Sequence, residues 1–273
     1  MLEVDARGAE RRRTEVIAEI ATNHGGDLDR ARRLLVEAAA AGADLVSVPA
    51  YLDPATATER ELLAPLTLSA DAYRELGRLA IERRVGLISS PTTVRRAAFL
   101  IDELGLTAIK VQSSEMLNLE LLDYLNGRVE TVYLGTGLAR LDEVRLAVSR
   151  LRETRDVVVM HSVDEYPLAA SDAHLTAIAT LAEALPAVRL GYLDHTIGLL
   201  APLLAVALGA TVVEKHFTLD RSLPGSDHVL SVTPVELAEM IHGVRQTETL
   251  LGDAPPAQRD HPRPAVVRRL AEA

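Results

Sequence analysis

The run RLGYLDHTIGLLAPLLAVALGATVVEKHF, residues 189–217, decides the fold. Its two ends, 189–194 and 211–217, are short and rich in Leu, Val and Tyr, as buried strands are. Between them 199–208 is apolar over a helical length, and Gly209 follows, where a left-handed cap suits glycine. A strand, a helix and a second strand within 29 residues make a βαβ unit with parallel strands. Both strands end on charge and imidazole: Asp194-His195 in one, Glu214-Lys215-His216 in the other.

The same unit recurs toward the N-terminus. Strands are predicted at 16–21, 45–50, 86–90, 108–113, 131–135, 157–162, 189–194 and 211–217. Helices are predicted at 28–41, 70–83, 93–104, 119–125, 141–152, 173–185, 199–208 and 234–251. Eight consecutive βα units close a barrel more readily than they form an open sheet, and such barrels are built as one domain of roughly 250 residues. The predicted class is therefore α/β, a single-domain (β/α)8 TIM barrel over 15–252, with an N-terminal extension over 1–14 and a tail over 253–273.

The formal charge of −10 argues against a nucleic-acid partner, which needs a net basic face, but leaves room for a small anionic substrate. No cysteine is present, which removes disulfides and thiolate chemistry. No apolar run approaches the ~20 residues of a membrane span, and the charged first 14 residues do not read as a signal sequence. A cytoplasmic protein acting on a small molecule is the expectation. Of 29 cationic residues only Lys110 and Lys215 are lysine, and both fall near the ends of predicted strands.

In such barrels the chemistry sits at the C-terminal ends of the strands. Here those ends are polar: Glu19 with Asn23 and His24; Tyr51; Ser89 and Ser90; Lys110, Gln112, Ser113 and Glu115; Thr136; His161 and Asp164; Asp194 and His195; Glu214 and His216. The N-terminal ends show nothing comparable in the sequence. His195 and His216 end neighbouring strands, so two imidazoles converge on one rim. They can ligate a divalent ion with positions left open for substrate, whereas either histidine alone could simply bond a loop carbonyl. Glu19 lies in an apolar strand, and a carboxylate inside a barrel is costly unless paired or working; a lysine or a metal is the expected partner. Lys110 needs an anion from the protein or the substrate. Alternation along 211–217 sends Glu214 and His216 to one side and Lys215 to the other, where a structural ion pair is expected.

These residues resemble the sialic acid (N-acetylneuraminate) synthase family. The matching stretches are AEIATNH (18–24), GAD (42–44), SSP (89–91), IKVQS (109–113) with Glu115 and Asn118, TGLA (136–139), and His161 with Tyr166-Pro167. The most specific are GYLDHTIG (191–198), EKHFTLDR (214–221) and LPGSDH (223–228), and the series runs in order from about residue 15 to 252. The resemblance implies a condensation of phosphoenolpyruvate with an amino-sugar aldehyde, assisted by a divalent ion of the Mn2+ or Mg2+ type on His195 and His216. It further implies that Glu19 handles a proton or positions water, and that Lys110, Ser113 and Tyr166 hold the enolpyruvate. Asp227 with Glu214 would meet the sugar. Asn23, Ser90, Glu115, Thr136 and His161 complete the implied substrate-binding set, the polar strand end adds Asp164 to it, and a homodimer is the implied assembly.

The departures cluster. Where the family carries a lysine, a phenylalanine and a glutamine that touch both substrates, this chain has Ser47, Val48 and Pro49. A phosphate-binding serine is replaced by Gly135, another serine by Leu193, and a neutral polar pair by Val163-Asp164. The family's C-terminal antifreeze-like domain is expected to be absent. Three readings follow. One is a divergent synthase. The second is a metal-dependent aldolase, lyase or hydratase with a non-phosphorylated substrate on the same barrel. The third is a non-catalytic ligand-binding barrel, against which the retained Glu19, Lys110, His195 and His216 speak.

Overall fold

After a two-stranded antiparallel ribbon, β1 (Leu2–Val4) with β2 (Glu10–Arg12), eight parallel strands follow: β3 (Glu15–Glu19), β4 (Leu45–Ser47), β5 (Gly86–Ile88), β6 (Ala108–Val111), β7 (Thr131–Gly135), β8 (Asp156–His161), β9 (Arg189–Asp194) and β10 (Val212–His216). The computed structural model describes residues 2–4, 10–50, 64–137 and 139–252, with side chains from Arg13 onward. Tyr51, Leu138 and the predicted tail over 253–273 lie outside the described residues. Hydrogen bonds order the sheet β5-β4-β3-β10-β9-β8-β7-β6. The Lys110 N–H donates to the Ser89 carbonyl at 3.1 Å across the remaining seam, so β6 meets β5 and the barrel closes. The ribbon over part of the predicted extension is a strand pairing that the sequence reading lacks.

Among the described residues the α-helices are α1 (Leu28–Ala41), α2 (Ala70–Arg83), α3 (Val94–Ala98), α4 (Leu119–Leu125), α5 (Leu141–Arg150), α6 (Ala177–Ala184), α7 (Leu200–Ala207) and α8 (Pro234–Leu251). α1 begins where the Asp27 carboxylate accepts from the N–H groups of Asp29 and Arg30, and it buries Ala31, Leu34, Leu35 and Ala38, one face at helical spacing. α8 opens on Pro234 behind a Thr233–Glu236 capping box. Two predicted helices differ. The one over 93–104 is α3 followed by a π turn at Phe99–Glu103, with the Leu104 N–H reaching back five residues to the Phe99 carbonyl. The one over 173–185 starts only at Ala177, because a 3-10 turn at Ala170–Asp172 and a left-handed His174 (φ 44°) interrupt it.

Strands of a parallel barrel are buried on both faces. Outward-facing residues such as Val16, Val46, Val132 and Val159 pack under the helices. Inside, a smaller apolar layer of Ile17, Ile88, Tyr133, Val158, Met160, Leu193 and Val212 fills the waist. Gly191 faces that layer, and a Cβ there would run into the Met160 sulfur, so glycine makes room for methionine. Below the waist the N-terminal ends are not bland, contrary to the sequence reading. Arg189 donates to Glu15 (2.6 Å) and Asp156 (2.7 Å), and the Tyr133 hydroxyl donates to Glu15 (2.7 Å). This satisfied network closes the floor of the barrel, and its members come from four strands too far apart in sequence to form a motif.

Candidate active site

Above the apolar waist, three charged side chains from three strands meet. Lys110 on β6 donates to Glu19 on β3 at 2.7 Å and also to Glu214 on β10. All three are buried. Burial works against the lysine's charge, but the two carboxylates outweigh it and raise its pKa. Burial alone would push Glu19 up; Lys110 and the nearby His216 outweigh that and hold it below the usual carboxylate range. Burial pushes Glu214 up to about 7, against the pull of Lys110 and with the Glu19 charge adding to it. Two acids that share one lysine are thus driven apart by the charge of Glu19 on Glu214 and by His216 beside Glu19. Glu214 Oε2 has no hydrogen-bond partner among the described residues.

The next layer up holds His195 and His216, their ring centroids 5.4 Å apart. Tyr166 leans over both, at 4.0 Å from His195 and 5.8 Å from His216. His195 Nδ1 lies 2.7 Å from the Val163 carbonyl, which can only accept, so Nδ1 carries the proton and Nε2 offers a lone pair. Burial, then repulsion from His216, lowers the His195 pKa to about 4; burial likewise lowers that of His216. Both rings are neutral at pH 7. His195 Nε2 and His216 Nδ1 are buried with no hydrogen-bond partner among the described residues. Neutral imidazoles, one fixed through its second nitrogen to a carbonyl, are the state in which histidine ligates a metal. No set of three or more His, Cys, Asp or Glu side chains converges as a metal cage among the described residues. The residues therefore fit a divalent ion held by two imidazoles, with the rest of its shell open.

These layers open into a cavity of about 310 Å³. Of the sequence-predicted residues, Glu19, Lys110, Ser113, Asp164, Tyr166, His195, His216 and Asp227 line it. Glu214 stands behind Lys110. Others are turned away. His161 points out of the barrel, stacks on Tyr192 at 5.8 Å, and has Nε2 at 2.9 Å from the Ala173 carbonyl. Thr136 also faces outward and donates to the Met160 carbonyl. Asn23 donates to the Phe217 carbonyl and the Ser231 hydroxyl, stapling the loop after β3 to the segment after β10. Ser90 accepts from Gln112, and Glu115 from Asn118. These five support the wall instead of forming it. Gln112, one of the polar strand ends, lines the cavity too, and Thr22, Pro49, Ser114 and Leu193 line it without having been among the predicted site residues. Thr22 is there because its hydroxyl and N–H both donate to Asp227, a pairing across 205 residues.

One corner is unusual. The Gly137 N–H donates to the Ser113 hydroxyl at 2.9 Å, and Ser113 in turn donates to Asp164 at 3.3 Å. A Cβ on Gly137 would collide with the Asp164 carboxylate, so the glycine lets that carboxylate sit in the corner.

A closed (β/α)8 barrel with a buried lysine–dicarboxylate cluster beneath a neutral histidine pair defines an enzyme-like site at the C-terminal mouth. Residues 35–255 match the NeuB family, and the chain belongs to that family. It is 33% identical over 280 residues to the N,N'-diacetyllegionaminic acid synthase of Legionella pneumophila, covering 93% of this chain and 78% of that one. It is 32% identical to the human N-acetylneuraminate-9-phosphate synthase, covering 87% and 71% respectively. Among solved structures, the N-acetylneuraminic acid synthetase of Leptospira borgpetersenii, in complex with citrate, superposes with a TM-score of 0.85 at 30% identity, covering 95% of this chain and 90% of that one.

Proposed function

We propose that the chain is a divergent sialic acid synthase-like enzyme that joins an enolpyruvyl donor to a sugar-like aldehyde, forming a carbon–carbon bond. The observation that carries this reading is the union, in one cavity, of the Glu19–Lys110 pair, backed by Glu214, with the His195–His216 pair, in a chain whose relatives bear the names of sugar-acid synthases. In the reaction the enol carbon bonds to the aldehyde carbon, the aldehyde oxygen takes up a proton, water adds at the donor's second carbon, and phosphate leaves. A divalent ion on His195 and His216, when bound, would supply Lewis-acid polarisation of the aldehyde. Lys110 meets the donor's carboxylate by sharing a charge now held between two glutamates. Glu19, kept ionised, accepts a proton from the attacking water. Glu214, poised near neutrality, keeps the cluster's charge adjustable as an anion enters. Tyr166 covers the histidines and excludes bulk water from one side. Asp227, oriented by Thr22, accepts from sugar hydroxyls.

The reading includes a homodimeric, cytoplasmic enzyme acting on small carboxylated and sugar-like molecules, with a single barrel over 15–252. No helix among the described residues is long and apolar enough to cross a membrane. A second reading, an aldolase, lyase or hydratase with a non-phosphorylated donor, is favoured by the carboxylate of Asp164 in the Ser113–Gly137 corner. The test is incubation of Mn2+-loaded protein with 2-acetamido sugars and either phosphoenolpyruvate or pyruvate, followed by mass spectrometry of the products. A 3-deoxy-2-keto acid with release of phosphate supports the synthase; the same product from pyruvate alone supports the second reading; no product from either refutes both.

A further inference from the structure

Behind the two histidines, on the outer face of their strands, lies an ion pair from which solvent is fully excluded. Lys215 and Asp194 are both 0% exposed, and the ammonium donates to the carboxylate at 2.6 Å. Burying such a pair is costly, and an apolar pair of similar volume stabilises a fold as well or better. Its surroundings are otherwise the ordinary apolar layer between barrel and helices, which takes in Val213 on β10 and Phe217 just beyond its end. Stability alone therefore gives no reason for charge at this place.

The geometry supplies one. Asp194 Oδ1 accepts from the Thr196 N–H at 2.8 Å and from the Tyr192 hydroxyl at 3.0 Å. Lys215 also donates to the Thr196 carbonyl. The residue after His195 is thus gripped at both its N–H and its C=O by a carboxylate just before His195 and an ammonium just before His216. The His195 carbonyl accepts from the Leu168 N–H at 2.9 Å, and its ring is held by Val163. Beyond the ends of the regular ladder, where a strand would begin to fray, the backbone carrying one imidazole is tied by side chains to the strand carrying the other. Two ligands sharing one ion must place their nitrogens within a few tenths of an ångström, each at roughly 2.0–2.3 Å from it. With no third side chain converging among the described residues, an error in either imidazole is not made up elsewhere.

We propose that Lys215 and Asp194 are positioning residues that fix the spacing of His195 and His216 and thereby set the protein's affinity for a divalent cation. This rests on the metal-holding role proposed above for the histidine pair.

The test is titration of the full chain with Mn2+, followed by loss of the free-ion electron paramagnetic resonance signal, beside a thermal melt of each variant. The variant Lys215→Met with Asp194→Asn removes both charges together, so no buried charge is stranded. Its Mn2+ dissociation constant is expected to rise 10- to 100-fold, the range seen when groups behind metal ligands are removed. Tyr192→Phe removes only one bond to Asp194, leaves the fold's charges in place, and is expected to raise the constant a few-fold. It decides the question if the double variant does not fold. Asp156→Asn, on the barrel floor, breaks a bond from Arg189 and is expected to lower the melting temperature with Mn2+ binding unchanged. Folded Lys215 and Tyr192 variants that bind Mn2+ as the wild type does overturn the proposal and leave a structural ion pair. Wild-type protein that binds no Mn2+ overturns the metal-holding role itself, and the proposal with it.

Discussion

Replacing Asp164 with asparagine should tighten the binding of phosphoenolpyruvate and leave pyruvate almost unchanged. The Asp164 carboxylate lies 3.3 Å from the Ser113 hydroxyl, the donor nearest the corner where an anion would rest. A phosphate oxygen bonded to Ser113 would come within about 4 Å of Asp164, given normal hydrogen-bond lengths. Two unit charges at that distance repel by about 4 kcal/mol at an effective dielectric of ~20. Asp164 is half-buried, so water and salt reduce this to about 1–2 kcal/mol. Asparagine also returns an N–H donor, worth about 0.5–1.5 kcal/mol. The sum, about 1.5–3.5 kcal/mol, is roughly a 10- to 400-fold fall in the dissociation constant. Arg221 and Arg140 are engaged elsewhere: Arg221 is bound to Glu236 at 2.8 Å, and Arg140 is exposed beside Asp142 at 3.3 Å. The assay is calorimetric titration of Mn2+-loaded wild type and variant with each ligand. Micromolar binding of phosphoenolpyruvate to the wild type, or no gain in the variant, would refute the reasoning and return Asp164 to an ordinary wall residue.

Further outcomes follow from the same geometry. His195→Ala and His216→Ala should each abolish stoichiometric metal binding, measured by elemental analysis after purification without chelator; wild-type protein that takes up no divalent ion sinks the Lewis-acid role. Lys110→Ala should lower kcat/KM by on the order of 2–4 kcal/mol of transition-state binding at saturating metal, whereas a Lys215 variant that folds should recover most of its rate when metal is raised. Equal losses in both at saturating metal would contradict the strand register. His24 is fully buried, and burial lowers its pKa from 6.5 to about 4. A depressed histidine contributes stability that is present above pH 6.5 and lost as pH falls toward 4, here roughly 3 kcal/mol. His24→Gln should therefore flatten the acid limb of urea-denaturation free energy between those values, and an unchanged limb would show that His24 is not buried neutral.

The barrel was legible because its signal is repeated: eight apolar strands alternating with amphipathic helices cannot all be misread, and an error of three residues at the end of β4 or two at the end of β5 leaves the topology intact. Side-chain direction was legible only where strand period could be counted from a fixed point. Counting along β10 separates Glu214 and His216 from Lys215, and the structure puts Lys110 with the first and Asp194 with the last. The same count along β8 sends His161 outward with Val157 and Val159 and turns Met160 in, so His161 belongs with the outer layer although it carries a functional side chain in a matching stretch. Contacts between distant loops obey no such period. Thr22 meets Asp227 across 205 residues and Asn23 meets Ser231 across 208, and nothing local to either residue announces the pairing.

The floor of the barrel shows the limit from the other side. Glu15, Asp156 and Arg189 each look like an ordinary charged residue at the start of a strand, yet closure of the sheet brings them, with Tyr133, into one paired network. The mouth holds the same chemical types with a different outcome. There Glu214 keeps an unpartnered buried oxygen and both histidines keep unpartnered buried nitrogens, whereas none of Glu15, Tyr133, Asp156 and Arg189 on the floor has such an atom. Polar residues at strand ends do not by themselves distinguish a plug from a site. The distinction is whether buried polar atoms are left over, and in this protein those of the strand-borne cluster are left over at the end where the cavity opens.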